Sequence, residues 1–252
     1  MVRRTSCLGS LALPALSAAA AAPADAPDEP KAILEKAIKA RGGAEALTKN
    51  PALTAKYKGR FHEAGRAIEY TETTMTQPGC FRSELTLTVG QKEFTFVDVL
   101  NGDKGWASRQ GKTQELSKEE VGRLRRLLST GKLQRLVDLR DKEYQLSHVG
   151  EIKVDGRPAV GVLVEREGER PVNLYFDKES WLLVKVEFRA HGPMGEKQEV
   201  LVEVYPRDYK KVGDILVAHK TDIHRDGKLY QEKELVEYAP AEKLDDANFA
   251  KP

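Results

Sequence analysis

Cysteine is scarce: only Cys7 and Cys80 occur in 252 residues. Long apolar runs are equally rare, and the one uncharged stretch of note, Leu8 to Ala22, follows the basic pair Arg3-Arg4. A short basic start, an apolar run rich in alanine and then polar, proline-rich sequence is the layout of a cleavable secretory signal. The run falls short of the roughly 20 strongly apolar residues a membrane span needs. Cys7 stands at its beginning rather than its end, which argues against a lipoprotein anchor. Small-x-small spacing allows cleavage after Ala21 or Ala24. We adopt Ala24, so that residues 1–24 are the signal, 25–30 a short disordered leader and 25–252 one domain working outside the cytoplasm. Cleavage removes Cys7, leaving Cys80 without an intramolecular partner; beside Phe81 it reads as a buried thiol.

An excess of either charge is also missing. Loss of Arg3 and Arg4 reduces the basic residues from 41 to 39, equal to the 39 acidic ones, whereas a nucleic-acid binder keeps a basic surplus. No Gly-x-Ser-x-Gly elbow occurs after the signal. Of the five histidines, His219 and His224 fall in one predicted strand at an odd spacing that turns them to opposite faces, against metal ligation. Glu119-Glu120 suits the first turn of a helix, where acids complement the dipole, and Asp245-Asp246 lies in a polar tail. Asn101-Gly102-Asp103-Lys104-Gly105 lacks the spacing of a phosphate loop and reads as a turn. These absences predict a protein with no catalytic residues, no metal and no cofactor.

What is present is periodicity. Ile33, Leu34, Ala37 and Ile38 recur at helical spacing before Gly42-Gly43, with a second helical piece at residues 44–49. From Leu53 the period becomes two, with Leu53, Ala55, Tyr57, Gly59 and Phe61 alternating with polar residues. It returns in Phe81, Leu85, Leu87 and Val89, then in Phe94 and Phe96, and resumes from Tyr144 to Tyr238, with Asp155-Gly156 and Asp226-Gly227 as hairpin signals. Between residues 117 and 141 the alternation stops. There Ser117 and Glu120 make a capping box, Leu124, Leu127 and Leu128 line one face, and Gly131 is predicted to separate two helical pieces.

About 11 strand-like segments exceed what a flat sheet carries comfortably. The prediction is an α+β, mostly β domain: a strongly curved antiparallel sheet forming an incomplete barrel, with helices covering its open concave side. Leu85, Leu87, Phe94, Phe96 and Trp106 are the candidate cavity wall, and Leu124, Leu127 and Leu128 the lid. For Trp106 the default reading is completion of the core, with cavity lining the alternative that places it among the wall candidates. The basic residues among the leucines of the 118–140 segment suit either a soluble lid or contact with a membrane surface or an envelope protein.

Several features in order resemble one family: the opening helix ending in Gly42-Gly43-Ala44, Leu100 to Trp106, the helical insertion, Leu174-Tyr175-Phe176-Asp177 followed by Trp181-Leu182-Leu183-Val184, and the closing Leu244 to Phe249. The chain is similar to the LolA/LolB superfamily of periplasmic lipoprotein carriers, and most to its LolA-like, outer-membrane lipoprotein-sorting members. The resemblance implies a half-barrel holding acyl chains, hence a non-catalytic periplasmic binding protein whose partner is an acylated lipoprotein or lipid. The same fold also implies an alternative use, a protein-interaction or stress-sensing module with no transported ligand.

Overall fold

The computed structural model describes residues 29–63, 65–133, 135–191 and 198–252. The expected signal, and the leader apart from its last two residues, lie outside the described residues. Helix α1 (Pro30–Ala40) begins on a proline, whose missing N–H costs nothing in a first turn. It buries Ile33, Leu34, Ala37 and Ile38, the stripe seen in the sequence. Gly42 follows at φ +124°, where a Cβ would stand 2.3 Å from the Asp214 carbonyl oxygen. Only glycine lets the helix end dock that closely, and the dock is completed by hydrogen bonds from the Arg41 side chain to the Leu216 carbonyl (2.8 Å) and from the Leu216 N–H to the Arg41 carbonyl (2.9 Å). The short helix α2 (Ala44–Thr48) comes next.

Among the described residues, thirteen strands, rather than about 11, make one antiparallel sheet. They are β1 (Ala52–Glu63), β2 (Arg66–Gln77), β3 (Cys80–Val89), β4 (Lys92–Asn101), β5 (Lys104–Arg109), β6 (Lys112–Glu115), β7 (Tyr144–Val154), β8 (Arg157–Arg166), β9 (Val172–Asp177), β10 (Leu183–His191), β11 (Glu199–Val212), β12 (Ile215–Arg225) and β13 (Lys228–Ala241). Strand β2 escaped the sequence pattern because both of its faces are polar for much of its length, and β6 because it is four residues long. Both Asp-Gly hairpins form as expected, with positive φ at Asp155, Gly156, Asp226 and Gly227. The spatial order is β6-β5-β4-β3-β2-β1-β13-β12-β11-β10-β9-β8-β7. Every neighbouring pair is consecutive in the chain except β1 with β13, so the first and last strands form the central seam. The sheet does not close on itself: β6 and β7 are its two edges.

The connection between those edges must therefore cross the open side. It holds α3 (Lys118–Leu133) and a 3-10 turn at Val137–Arg140. The capping box exists as read: the Glu120 carboxylate accepts from the Ser117 N–H and hydroxyl, both at 2.8 Å. Gly131 does not mark a junction, because α3 runs through it; the cost of one helical glycine is only about 1 kcal/mol. The break comes instead at buried Leu136, in the left-handed region at φ 67°.

Two cores lie under these helices. The larger joins α1 to Val160, Val162, Leu174, Phe176, Val186 and Val204 of β8–β11, with Leu133, Leu136 and Leu139 closing it. The smaller joins Val121 and Leu124 of α3 to Phe81 and Leu100. On the opposite face of the sheet, Phe249 in the 3-10 turn Asp246–Phe249 packs on Val97 and Val99. No helix among the described residues is long and apolar enough to cross a membrane.

Candidate ligand-binding face

Cross-strand register maps the inner face between α3 and the seam, since directly opposed residues point the same way. One row reads Phe94, Leu87, Tyr70, Gly59, Lys233 and Thr221 from β4 to β12. The next reads Phe96, Leu85, Glu72, Tyr57 and Leu235. A third holds Asp98, Ser83, Thr74, Ala55 and Tyr238, and a fourth begins with Leu100 and Phe81. Helix α3 sits on the fourth row. The first two rows thus present an apolar block, Leu85, Leu87, Phe94 and Phe96, that α3 leaves partly open. Phe94 keeps 37% of its surface exposed and the other three are half-buried.

Beside that block stands a polar cluster. The Lys233 ammonium donates to Glu72 at 2.8 Å, with only 23% and 16% of the two side chains exposed. The Ser83 hydroxyl donates to the other Glu72 oxygen at 2.8 Å, and the ammonium stands 3.8 Å from the centre of the Tyr57 ring. Gln231 donates to the Tyr70 hydroxyl at 2.8 Å. Burial, with the nearby Glu72 charge, pushes the Tyr57 phenol up to about 12. The Tyr70 phenol is raised too, chiefly by burial and against the hydrogen bond from Gln231. Both therefore stay protonated at neutral pH. On the β5 side of the block, Arg109 pairs with Asp98 at 2.6 Å and lies over the Phe96 ring at 5.5 Å.

No family model matches the chain, and no curated protein matches it in sequence. Solved structures do match. A DUF1329-family protein of Desulfovibrio piger aligns over 88% of this chain and 98% of its own, at 13% identity and TM-score 0.56. A LolA superfamily protein of Nitrosomonas europaea gives the same coverages and TM-score at 12% identity. The chain shares its fold with this LolA superfamily protein. A domain from Vibrio parahaemolyticus described as outer-membrane lipoprotein-sorting aligns over 86% and 95%, at 13% identity and TM-score 0.52.

In this LolA-like sheet, the eight residues singled out from the sequence divide. Leu85 opposes Phe96 and Leu87 opposes Phe94, so those four share one wall. Leu124 is buried against Phe81 and Leu100, and Leu128 packs on the same cluster; both belong to the helix that covers the wall's end. The Leu127 side chain lies outside the described residues. Trp106 does not join the wall: it opposes Val99 and packs with Phe249 on the other face. The direction of a six-residue strand between two turns depends on register, and its sequence carries no sign of that.

Glu72, Lys233, Tyr57 and Tyr70 went unnoticed as a group. Their one local signal was a glutamate and a lysine each two residues from a large apolar or aromatic side chain on the same side, Tyr70 and Leu235. The family-like motif after Phe176 has a structural cause. Asp177, 2% exposed, accepts from the Ser180 N–H (2.7 Å), the Ser180 hydroxyl (2.8 Å), the Glu179 N–H (3.2 Å) and Arg157 (2.9 Å). These bonds shape the turn that lays Trp181 on the main core.

Two shallow clefts, about 290 and 220 Å³, share Val154, Asp155 and Arg207 on the outer face of the sheet. Lys185 borders the smaller one, held between Glu187 and Glu203 at 2.7 Å each. Burial works against its charge, but these two carboxylates outweigh burial and raise its pKa. The cluster stitches β10 to β11 on the outer face of the sheet, away from the apolar block of the inner face.

Proposed function

We propose that this protein is a non-catalytic carrier, exported to the periplasm, that holds an acyl chain or another apolar ligand of a lipid or lipoprotein on the inner face of its half-barrel. The observation that carries this reading is the block Leu85, Leu87, Phe94 and Phe96. Four large apolar side chains stand together on an inner wall, partly exposed beside a covering helix. Removing each methylene of a chain from water there contributes about 0.8 kcal/mol, which gives useful but reversible retention of one chain. The LolA-like fold, shared with a domain described as lipoprotein-sorting, supports the same use.

Contact of α3 with a membrane or envelope protein belongs to the same proposal as the entry step. Arg125, however, is already engaged within the chain, donating to the Gly102 carbonyl at 2.8 Å and pairing with Asp103. Native mass spectrometry after gentle purification tests the carrier reading. We expect a lipid-sized adduct, or its acquisition on incubation with dioleoyl-lipid vesicles, and about tenfold weaker uptake in Leu87→Asp/Phe94→Asp, whose lost burial amounts to at least 1.4 kcal/mol. A clean apo mass that acquires nothing would overturn it.

A further inference from the structure

We infer that the Glu72–Lys233 pair reads the head of the bound lipid, and that the head it fits is zwitterionic, a cationic amine joined to a phosphate. The inference rests on the carrier reading above and adds the ligand's polar chemistry to it.

The pair is not placed where stability alone would put it. Other cross-strand pairs along the seam, Lys56–Glu237 at 2.6 Å and Lys58–Glu234 at 3.5 Å, lie on the wet outer face with about half of each side chain exposed. Glu72 and Lys233 instead face inward and come from β2 and β13, strands separated by β1, so their bond arches over Tyr57 and Gly59. Shielding two charges from water generally costs more than a well-packed apolar pair would. A face that held hydrocarbon alone would have no use for that cost.

The surroundings say what the pair is for. Glu72 lies directly beside Leu85, and Lys233 lies in the row of Leu87 and Phe94, so a chain resting on the apolar block brings its head to these two groups. An anionic head would meet Lys233 but also the Glu72 carboxylate, and a cationic head the reverse. A zwitterion exchanges one internal ion pair for two, its phosphate taking the Lys233 ammonium and its amine the Glu72 carboxylate. The Tyr57 ring stands beside the pair, 3.8 Å from the Lys233 ammonium, and aromatic faces favour an ammonium. No proton or electron moves; the step is an exchange of ionic partners.

Three dioleoyl lipids with the same chains test this by native mass spectrometry: a phosphatidylethanolamine, a phosphatidylglycerol and a diacylglycerol. The wild type should bind the zwitterion about tenfold more tightly than either other lipid, the scale of one charge-assisted hydrogen bond. In Glu72→Gln/Lys233→Gln, which keeps two hydrogen-bonding groups of similar size without charge, that preference should fall to about one. Equal wild-type binding of all three, or an unchanged preference in a folded double variant, overturns the inference and leaves the carrier reading standing. Binding of none of them overturns both. The wild-type comparison needs no variant, so a misfolded double variant does not remove the test.

Discussion

Asp177 shows how a buried charge is stabilised in this chain. Burial by itself would raise its pKa, but the Ser180 N–H and hydroxyl, the Arg157 charge and the Glu179 N–H together hold it below the usual carboxylate range. A depressed folded-state pKa adds stability that is complete above the unfolded value, near 3.9, and is lost as pH falls through the folded one. Asp177→Asn should therefore lower stability by roughly 1–3 kcal/mol at neutral pH and flatten the acid limb below about pH 4, read from urea titrations across a pH series. Gly59 is the other residue with little room for change. A Cβ there would lie 1.9 Å from the Glu232 carbonyl oxygen and 2.8 Å from the Tyr70 ring. Gly59→Ala should cost about 1–3 kcal/mol in the same assay, because the backbone at the seam cannot move aside without breaking register.

Among the elements, α3 is secured at identifiable points. Its start is capped by Ser117 and Glu120, Arg125 ties it to the β4–β5 turn, and Ser129 donates to Glu169 at 3.0 Å near the β8–β9 turn. One helical turn thus holds the rims of both halves of the sheet. Ser117→Ala removes the N-cap, worth about 1 kcal/mol. We expect about fivefold faster hydrogen exchange in the first turn of α3, with the global melting temperature little changed; uniform destabilisation would contradict this local role. Legibility also varies by element. Helix α1 and the strands around Leu53 and Leu85 were readable because one face of each is apolar and the other wet. Strand β2 was not, because its inward face carries Tyr70, Glu72, Thr74 and Thr76, and the end of α3 was not, because the break lies at a leucine rather than at the glycine. The candidate wall was half legible: alternation grouped Leu85, Leu87, Phe94 and Phe96, yet it could not turn Trp106 to its correct face or bring Glu72 to Lys233.

For the molecule as a whole, the seam between β1 and β13 governs cooperativity. The two strands at opposite ends of the chain lie at the centre of one continuous sheet. Neither half can complete its inner face alone, so urea unfolding should follow one transition by tryptophan fluorescence and by far-UV circular dichroism. Non-coincident curves would show that the halves unfold separately. Pairing strands so distant in sequence also places refolding in the millisecond-to-second range or slower, measurable by stopped flow.

The sequence by itself determined the strand alternation, the two Asp-Gly hairpins, the apolar stripe of α1 and the capped start of α3. All of these arise from sterics and hydrogen bonds among residues near one another in the chain. Only the tertiary structure decided that β1 pairs with β13, which face of the sheet is the inner one, and that Glu72 meets a lysine 161 positions away. Those outcomes depend on which of many distant pairings buries both helices' apolar faces at once, a condition on the whole chain that no local period encodes.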